Sequence, residues 1–556
     1  MNGKTKSKKS RIGDILVELG YLSQDQLQKA LQESKRTGVM LGEVLTRLGW
    51  ITEEQLNTAL GIQSGAQLLD TKRVSVDSGV LKMVPHEFAR EHELLPFGLQ
   101  ENSLQVALSN PFDVVARDKL KSLTGKKIIP YIAPREWITG SIEYYYKTAA
   151  HIDEEIEEIV RRDLAGDSDA TAEGNITRLV DLIIAKGLSL GASDIHIDPD
   201  EQLVRIYFRM DGVLHQKYLL PKKFHSGLVT RIKVMSGIPL GDAHVPHDGR
   251  VQYDAKVRKI DIRVSTFPSH LGEMVVMRLL IKAEAVGSFE RLGMTKKTID
   301  QVTSAIYRPH GLVLITGPTG SGKTTTVYTV LLKINRSEIN IMAIEDPIEY
   351  VIPTVRQSAV NPKAGFTFAN ALRAALRQDP DVIMVGEVRD KETAELALRA
   401  SITGHLVIST LHANEAAGAV PRLLDMGVLP TVLASSLVLV VAQRLVRRLC
   451  PDCIELYSPS AEEKEVFLSN GLEAPSELAR TTGCDLCHNT GFKGRIGIFE
   501  IMMVSKEIEE LIIGNASRSK IEEVAVSQGM EKMFVDGLRK VAQKLTSLSE
   551  IRRVAV

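Results

Sequence analysis

Residues 314–326 read LITGPTGSGKTTT, and no other stretch constrains the fold of this chain as much. An apolar run, Leu312–Thr316, leads into Gly317, Pro318, Thr319, Gly320, Ser321, Gly322, Lys323, Thr324 and Thr325. That is a complete GxxxxGK[ST] pattern. Such a loop turns backbone N–H groups toward phosphates, brings its lysine to the β and γ phosphates, and offers the Thr324 hydroxyl to Mg²⁺. A helix N-terminus adds its positive dipole end. The pattern requires a strand before the loop and a helix after it. The chain therefore holds an α/β nucleotide-binding domain, with ATP and Mg²⁺ as its expected ligands.

From residue 290 onward strands and helices alternate, which implies a mostly parallel sheet whose ligands gather at the strand C-termini. Three segments deliver polar groups there. DPDVIMVGEVRD carries Glu387 just past the strand Val382–Val385, a position suited to an acid that handles Mg²⁺ or water. IMAIEDPIEY ends a strand in Glu345, Asp346 and Glu349, and GHLVISTLHAN brings His412 to the same edge, with His405 at its start. Any one acid could be a surface ion pair, but three beside one P-loop favour chemistry. His412 reads either as a γ-phosphate sensor or as a packed core histidine. Arginines often stabilise phosphoryl transfer from a neighbouring element. Arg263 in DIRVST and Arg278 in VVMRLL lie on predicted strands outside this domain; alone they would count as solvated arginines.

All four cysteines fall into one pattern, Cys450-x₂-Cys453, a gap of 30 residues, then Cys484-x₂-Cys487. Two such pairs complete a tetrahedral S₄ site with no position left for water, so the expectation is structural zinc. Disulfides are the weaker reading, because no secretion signal is evident.

At 556 residues the chain is long enough for about four domains. An internal repeat opens it. Gly13, Leu16, Gly20, Leu27 and Leu31 recur 29 residues later as Gly42, Leu45, Gly49, Leu56 and Leu60. Each unit reads as helix, glycine turn and a second helix N-capped by Ser23 or Thr52. Residues 1–68 thus form a helical tandem-repeat module, and 69–150 a small mixed α/β module. The acidic stretch 151–175 reads as a helix fading into a linker. Residues 176–285 alternate helix and strand, and 290–556 form the nucleotide domain with a cysteine insert, 450–487, and a helical tail.

The run MNGKTKSKKSR lacks an apolar core and reads as a solvated tail, with weak contact to acidic lipid as the alternative. No stretch reaches the roughly 20 apolar residues of a membrane span. The nearest, 428–448, reads as a buried helix. A cytosolic protein is expected. Lys+Arg and Asp+Glu number 69 each and aromatics are 5%, which argues against a nucleic-acid motor needing a basic groove and stacking rings. A ligand-reading scaffold with a dead ATPase is disfavoured by the intact loop and acids.

The assembled motifs resemble the secretion-type assembly ATPases, namely type IV pilus extension motors and type II secretion motors. The resemblance covers nearly the whole chain. It rests on the P-loop, AIEDPIEY, DPDVIMVGEVRD, TGHLVISTLHAN, ASDIHIDP, RMDGVL, VPHDGR and, after the cysteines, GFKGRIGIFE. It implies a RecA-like ATPase domain, a PAS-like domain at 176–285, and a cytoplasmic homohexameric ring under an inner-membrane platform protein, with membrane contact indirect. Carried over by motif, Glu387 is the catalytic glutamate and Glu349 the acid handling water and Mg²⁺. His412 is the His-box histidine, and Arg263 and Arg278 enter a neighbouring subunit's site. Pilus assembly is the expected function and type II secretion the alternative. Where this chain has His244 and His247, relatives commonly have Arg and Gln, so an interface or sensing detail there is expected to differ.

The N-terminal repeat resembles a tandem motif that binds cyclic di-GMP, here through Arg11, Gly13, Gly20, Leu41, Gly42, Gly49 and Gln63. That motif expects an arginine at the start and a glutamine at the end of each unit. Here the first unit ends on Ser34 and the second starts at Met40. Cyclic di-GMP binding and a helical docking module both remain open readings.

Overall fold

The computed structural model describes residues 11–555 apart from 72–73, 75, 77, 101–102, 167–172, 255–258 and 281–286. The basic run at residues 1–10 lies outside the described residues. The chain divides into two compact units, Met1–Ile281 and Lys282–Val556.

The second unit is built on a seven-stranded sheet. Its order is Arg356–Ala359, Ile341–Glu345, Val382–Val385, Leu406–Leu411, Gly311–Thr316, Leu437–Leu449, Phe492–Met503. The first six strands are parallel and the last is antiparallel to its neighbour. The inner strands Ile341–Glu345, Val382–Val385, Leu406–Leu411 and Gly311–Thr316 are covered on both faces, which is why they are apolar runs rather than alternating ones, whereas the edge strand Arg356–Ala359 is polar and partly exposed. Leu312 and Leu314 pack into one core with Ile383, Val385 and Val407 under the helix Lys391–Ile402. Val313 and Ile315 pack into the other with Met384, Ile408, Val327 and Tyr328, the last two from the helix Lys323–Ile334. Four helices close the chain: Lys506–Ile513, Arg518–Ser527, Met533–Ala542 and Leu548–Ala555.

One expectation is overturned here. Residues 428–448 are not one buried helix. A short helix, Pro430–Ser436, leads into the 13-residue strand Leu437–Leu449. An apolar run buried on both faces has no period to read, and the β-branched Val438, Val440 and Val441 favour the strand.

The first unit begins with the helices Ile12–Glu18, Gln24–Thr37, Leu41–Arg47 and Glu53–Ser64. Ser23 and Thr52 cap the second and fourth, each in a reciprocal capping box with Gln26 or Gln55. The repeat also explains two glycines. A Cβ on Gly13 would stand 2.6 Å from the Leu27 side chain and one on Gly42 2.9 Å from that of Leu56, so in each unit a larger residue would require the leucine to shift. Next comes a four-stranded sheet in the order Gln67–Leu68, Lys127–Ile132, Ser103–Leu108, Leu94–Gln100.

For the stretch 151–175 the sequence predicts a helix fading into a linker, and residues 167–172 of it lie outside the described residues. Helix Arg135–Leu164 occupies its first part, and a further helix, Glu173–Ser189, begins near its end. Ile152, Ile156 and Ile159 are buried in the core of the following module. Their spacing keeps them on one face of the helix, between acidic residues that lie outside the core. That module is a six-stranded, wholly antiparallel sheet, in the order Val213–Pro221, Leu203–Met210, Asp194–Pro199, Gly272–Leu280, Lys259–Ser269, His247–Asp254. Helices Glu173–Ser189 and Phe224–Ser236 supply its core on one face. The other face is open and mixed, carrying arginines beside exposed apolar side chains such as Phe267, Leu214 and Leu219.

Among the described residues no helix is long and apolar enough to cross a membrane.

Candidate functional site

The P-loop lies at the C-terminal edge of the parallel sheet, between the fully buried strand Gly311–Thr316 and the helix Lys323–Ile334. Gly317 has φ 150°, and a Cβ there would fall 2.5 Å from the Gln443 carbonyl oxygen, so no side chain fits. Lys323 Nζ donates to the carbonyls of Gly317 at 2.8 Å and Pro318 at 3.1 Å. Burial lowers the Lys323 pKa, against the opposing pull of the Glu387 charge. Ser321 is buried and its Oγ has no hydrogen-bond partner. An orphaned hydroxyl in a loop of this shape fits a phosphate group. Thr319, Gly320 and Thr324 are exposed, and Thr325 is partly so.

Adjacent strands bring the expected acids and histidine to the same edge. Glu387 is largely buried and stands 3.5 Å from His412 Nε2 (Oε2 to ring nitrogen). Its other oxygen meets the Arg389 guanidinium. Arg389 also faces Asp346 at 3.7 Å, and its pKa is raised, first by the hydrogen bond to Glu387. The acids of AIEDPIEY divide. Glu345 is buried, accepts from Tyr328 Oη and from Gln357 Nε2 at 2.8 Å, and serves as an anchor. Burial raises its pKa, although these two donors oppose the shift. Glu349 is exposed, and its backbone N–H donates to Tyr328 Oη at 3.1 Å. His405 is set back from the edge, with Nδ1 3.0 Å from the Ala400 carbonyl.

Sequence reading missed the groups that hold this edge in register. Thr316 Oγ1 donates to the carbonyls of Leu411 and Ala413 and accepts from Ala413 N–H at 2.8 Å. Ser409 and Thr410 hydroxyls each donate at 2.7 Å, to Val385 and Gly386 respectively. These bonds tie the P-loop strand to the His412 strand, and that strand to the Glu387 strand. Hydroxyls near the ends of otherwise apolar strands were the available signal.

In the other unit, Arg263 and Arg278 face each other on paired strands. Register places them in a row across the open face: Arg250, Arg263, Arg278, Asp194, Arg209. Asp194 is buried and holds Arg278 Nε at 2.9 Å and Arg209 Nε at 3.6 Å. Asp194, Arg209 and Arg250 had not been singled out. His247 opens the edge strand of this sheet, and His244 is exposed just before it.

The four cysteines converge. Their sulfur atoms lie within 4.8 Å of one another, with Cys450–Cys484 at 3.7 Å, Cys453–Cys487 at 3.9 Å and Cys484–Cys487 at 3.7 Å. Bonds of about 2.3 Å to one tetrahedral ion would set sulfurs roughly 3.8 Å apart. Backbone N–H groups of Cys484 and Gly491 donate to Cys487 Sγ at 3.2 Å, which suits a thiolate. The 30-residue gap is filled by a helix, Ala461–Ser469, and a two-stranded ribbon, Ile454–Tyr457 with Leu478–Thr481.

The family model for "Type II/IV secretion system protein" matches residues 169–553. The chain belongs to this family. A second model, the MshEN domain, matches residues 64–152, which is the small α/β module and the start of the long helix rather than the helical repeat. The type IV pilus assembly ATPase PilB of Myxococcus xanthus is 37% identical over 561 residues, 97% of this chain and 98% of that one. The type II secretion system protein E of Xanthomonas campestris pv. campestris is 36% identical over 565 residues, 99% of each. The type II secretion system ATPase E of Vibrio cholerae is 48% identical over 379 residues, 68% of this chain and 75% of that one. The solved ATPase DotB of Legionella pneumophila, 22% identical, matches with TM-score 0.51 over 68% of this chain and 95% of its own, which supports the fold. P-loop, acidic strand ends and family together make the chain an ATP hydrolase.

Proposed function

We propose that the chain is the motor that drives assembly of type IV pili by hydrolysing ATP. The observation that carries this is a complete P-loop edge, with Glu387 beside His412, in a chain similar end to end to a pilus assembly ATPase. In this reading the loop from Gly317 to Thr325 binds the phosphates. Thr324, Glu349 and Glu387 would hold Mg²⁺, which spreads the charge of the β and γ oxygens. Glu387 takes a proton from the attacking water, and His412 meets the γ phosphate. Arg263 and Arg278 complete the site of a neighbouring copy in a homohexamer, where an arginine offsets charge in the transferring phosphoryl group. The ring works at the cytoplasmic face of the inner membrane against a platform protein.

The equally long similarity to a type II secretion protein supports a second reading, assembly of a secretion pseudopilus. One experiment separates them. Cells lacking the gene are complemented with wild type or Lys323→Ala, and surface filaments and exported enzymes are scored together. Loss of filaments with normal export supports the first reading. Lost export with normal filaments supports the second, and no change in either rejects both.

Two ligands belong to this proposal. The S₄ cluster suits structural zinc, tested by metal analysis of purified protein before and after Cys484→Ser. The helical repeat is a candidate for cyclic di-GMP through Arg11, Gly13, Gly20, Leu41, Gly42, Gly49 and Gln63, tested by titration. No saturable binding would leave it a docking module.

A further inference from the structure

The strand Leu437–Leu449 lies beside the P-loop strand, and among its buried residues Gln443 alone is polar, at 2% exposure. Packing alone would be served by another Leu or Val. Gln443 Nε2 donates to the Ser321 carbonyl at 2.7 Å, and its Oε1 accepts from Thr326 Oγ1 at 2.7 Å. Its backbone carbonyl is the group that excludes a Cβ at Gly317, and its Nε2 would stand 3.1 Å from a Cβ at Gly322. One residue thus touches the start of the loop, its last turn and the following helix.

The bond to Ser321 has a directional consequence. A trans peptide is planar, with its C=O and the next N–H pointing opposite ways. Holding the Ser321 carbonyl toward Gln443 therefore turns the Gly322 N–H away from that strand, to the side on which the proposed ATP site would receive phosphate oxygens. The Thr326 hydroxyl fixes which end of the amide faces the loop, because it supplies a donor where only Oε1 can accept.

We propose that Gln443 is a positioning residue for ATP binding that sets the orientation of the Ser321–Gly322 peptide. This rests on the P-loop being the ATP site. The test measures KM and kcat for ATP on the full-length protein, with thermal midpoints in the absence and presence of Mg-ATP. Gln443→Leu removes both bonds and is expected to raise KM roughly ten-fold, with a smaller change in kcat and a clearly reduced ATP-induced thermal shift. Gln443→Glu keeps the acceptor for Thr326 but loses the donor to Ser321, and is expected to move KM the same way. Thr326→Val is expected to act more weakly, and Gln443→Leu/Thr326→Val no worse than Gln443→Leu alone. Folded Gln443 variants with wild-type KM and thermal shift would overturn the proposal, as would effects of the two sites that simply multiply. If Gln443→Leu does not fold, Gln443→Glu and Thr326→Val decide by the same criteria. Undiminished hydrolysis by Lys323→Ala would instead show that the P-loop reading itself is wrong.

Discussion

The two large sheets of this chain place their polar and charged groups differently. In the parallel sheet, strands Leu312–Ile315 and Val382–Val385 are buried on both faces, so nothing reactive can sit on them. The polar groups collect instead just past the strand ends, as Gly317–Lys323, Glu387 and His412. In the antiparallel sheet one face is covered and the other open, so alternate strand positions are free to be charged. Arg250, Arg263, Arg278, Asp194 and Arg209 therefore line up across strands rather than at their ends. Parallel connection builds an edge, and antiparallel connection builds a face.

Substitutions at the edge are expected to have the largest effects. Glu387→Gln should lower kcat by about 10³-fold while ATP still binds, because in the proposed mechanism it removes the proton acceptor and leaves the loop intact. Lys323→Ala should cost on the order of 10²–10³-fold and also weaken binding, measured as kcat/KM. On the face, Arg278→Ala should lower kcat by roughly 10²-fold with little change in ATP affinity. That is less than a lone arginine finger would supply, because Arg263 stands beside it. A change in affinity alone would break the proposed division of labour.

Smaller effects sharpen the comparison. Cys484→Ser should lower the thermal midpoint by several degrees, since it removes one of four ligands from a cluster that closes the insert. Glu345 shows that a strand-end acid is not catalytic by position alone. Its pKa is raised by burial, so the folded protein holds its proton to higher pH than the unfolded chain does. Stability from this group is therefore present at low pH and declines as pH rises from the ordinary carboxylate range through the raised value. Glu345→Gln should flatten that slope in thermal midpoints and affect kcat less than Glu387→Gln does.

Much of the edge could be read from residues, because spacing specifies it. Lys323 follows its glycines, Glu387 follows an apolar strand, and the cysteine pairs are self-announcing. The helical repeat was legible through Gly13, Gly42 and the capping residues. What stayed hidden depends on contacts between distant segments. Glu345 and Glu387 look alike in sequence, and only the approach of Tyr328 and Gln357 separates them. The stretch 428–448 reads as helix in sequence because an apolar run buried on both sides has no diagnostic period. Gln443 was hidden with it. The arginine row appears only once strand register is known, since Arg250 and Arg209 are 41 positions apart in the chain.

The most direct test of the account is complementation between two inactive chains. Arg278→Ala and Glu387→Gln copies are each purified alone and also co-expressed so that mixed assemblies form. If the arginine face of one copy serves the P-loop edge of another, mixed assemblies recover a measurable fraction of wild-type hydrolysis, because some sites combine an intact edge with an intact face. If both variants are inactive alone and the mixture is no better than either, the face does not act on a neighbour's edge and the central claim fails.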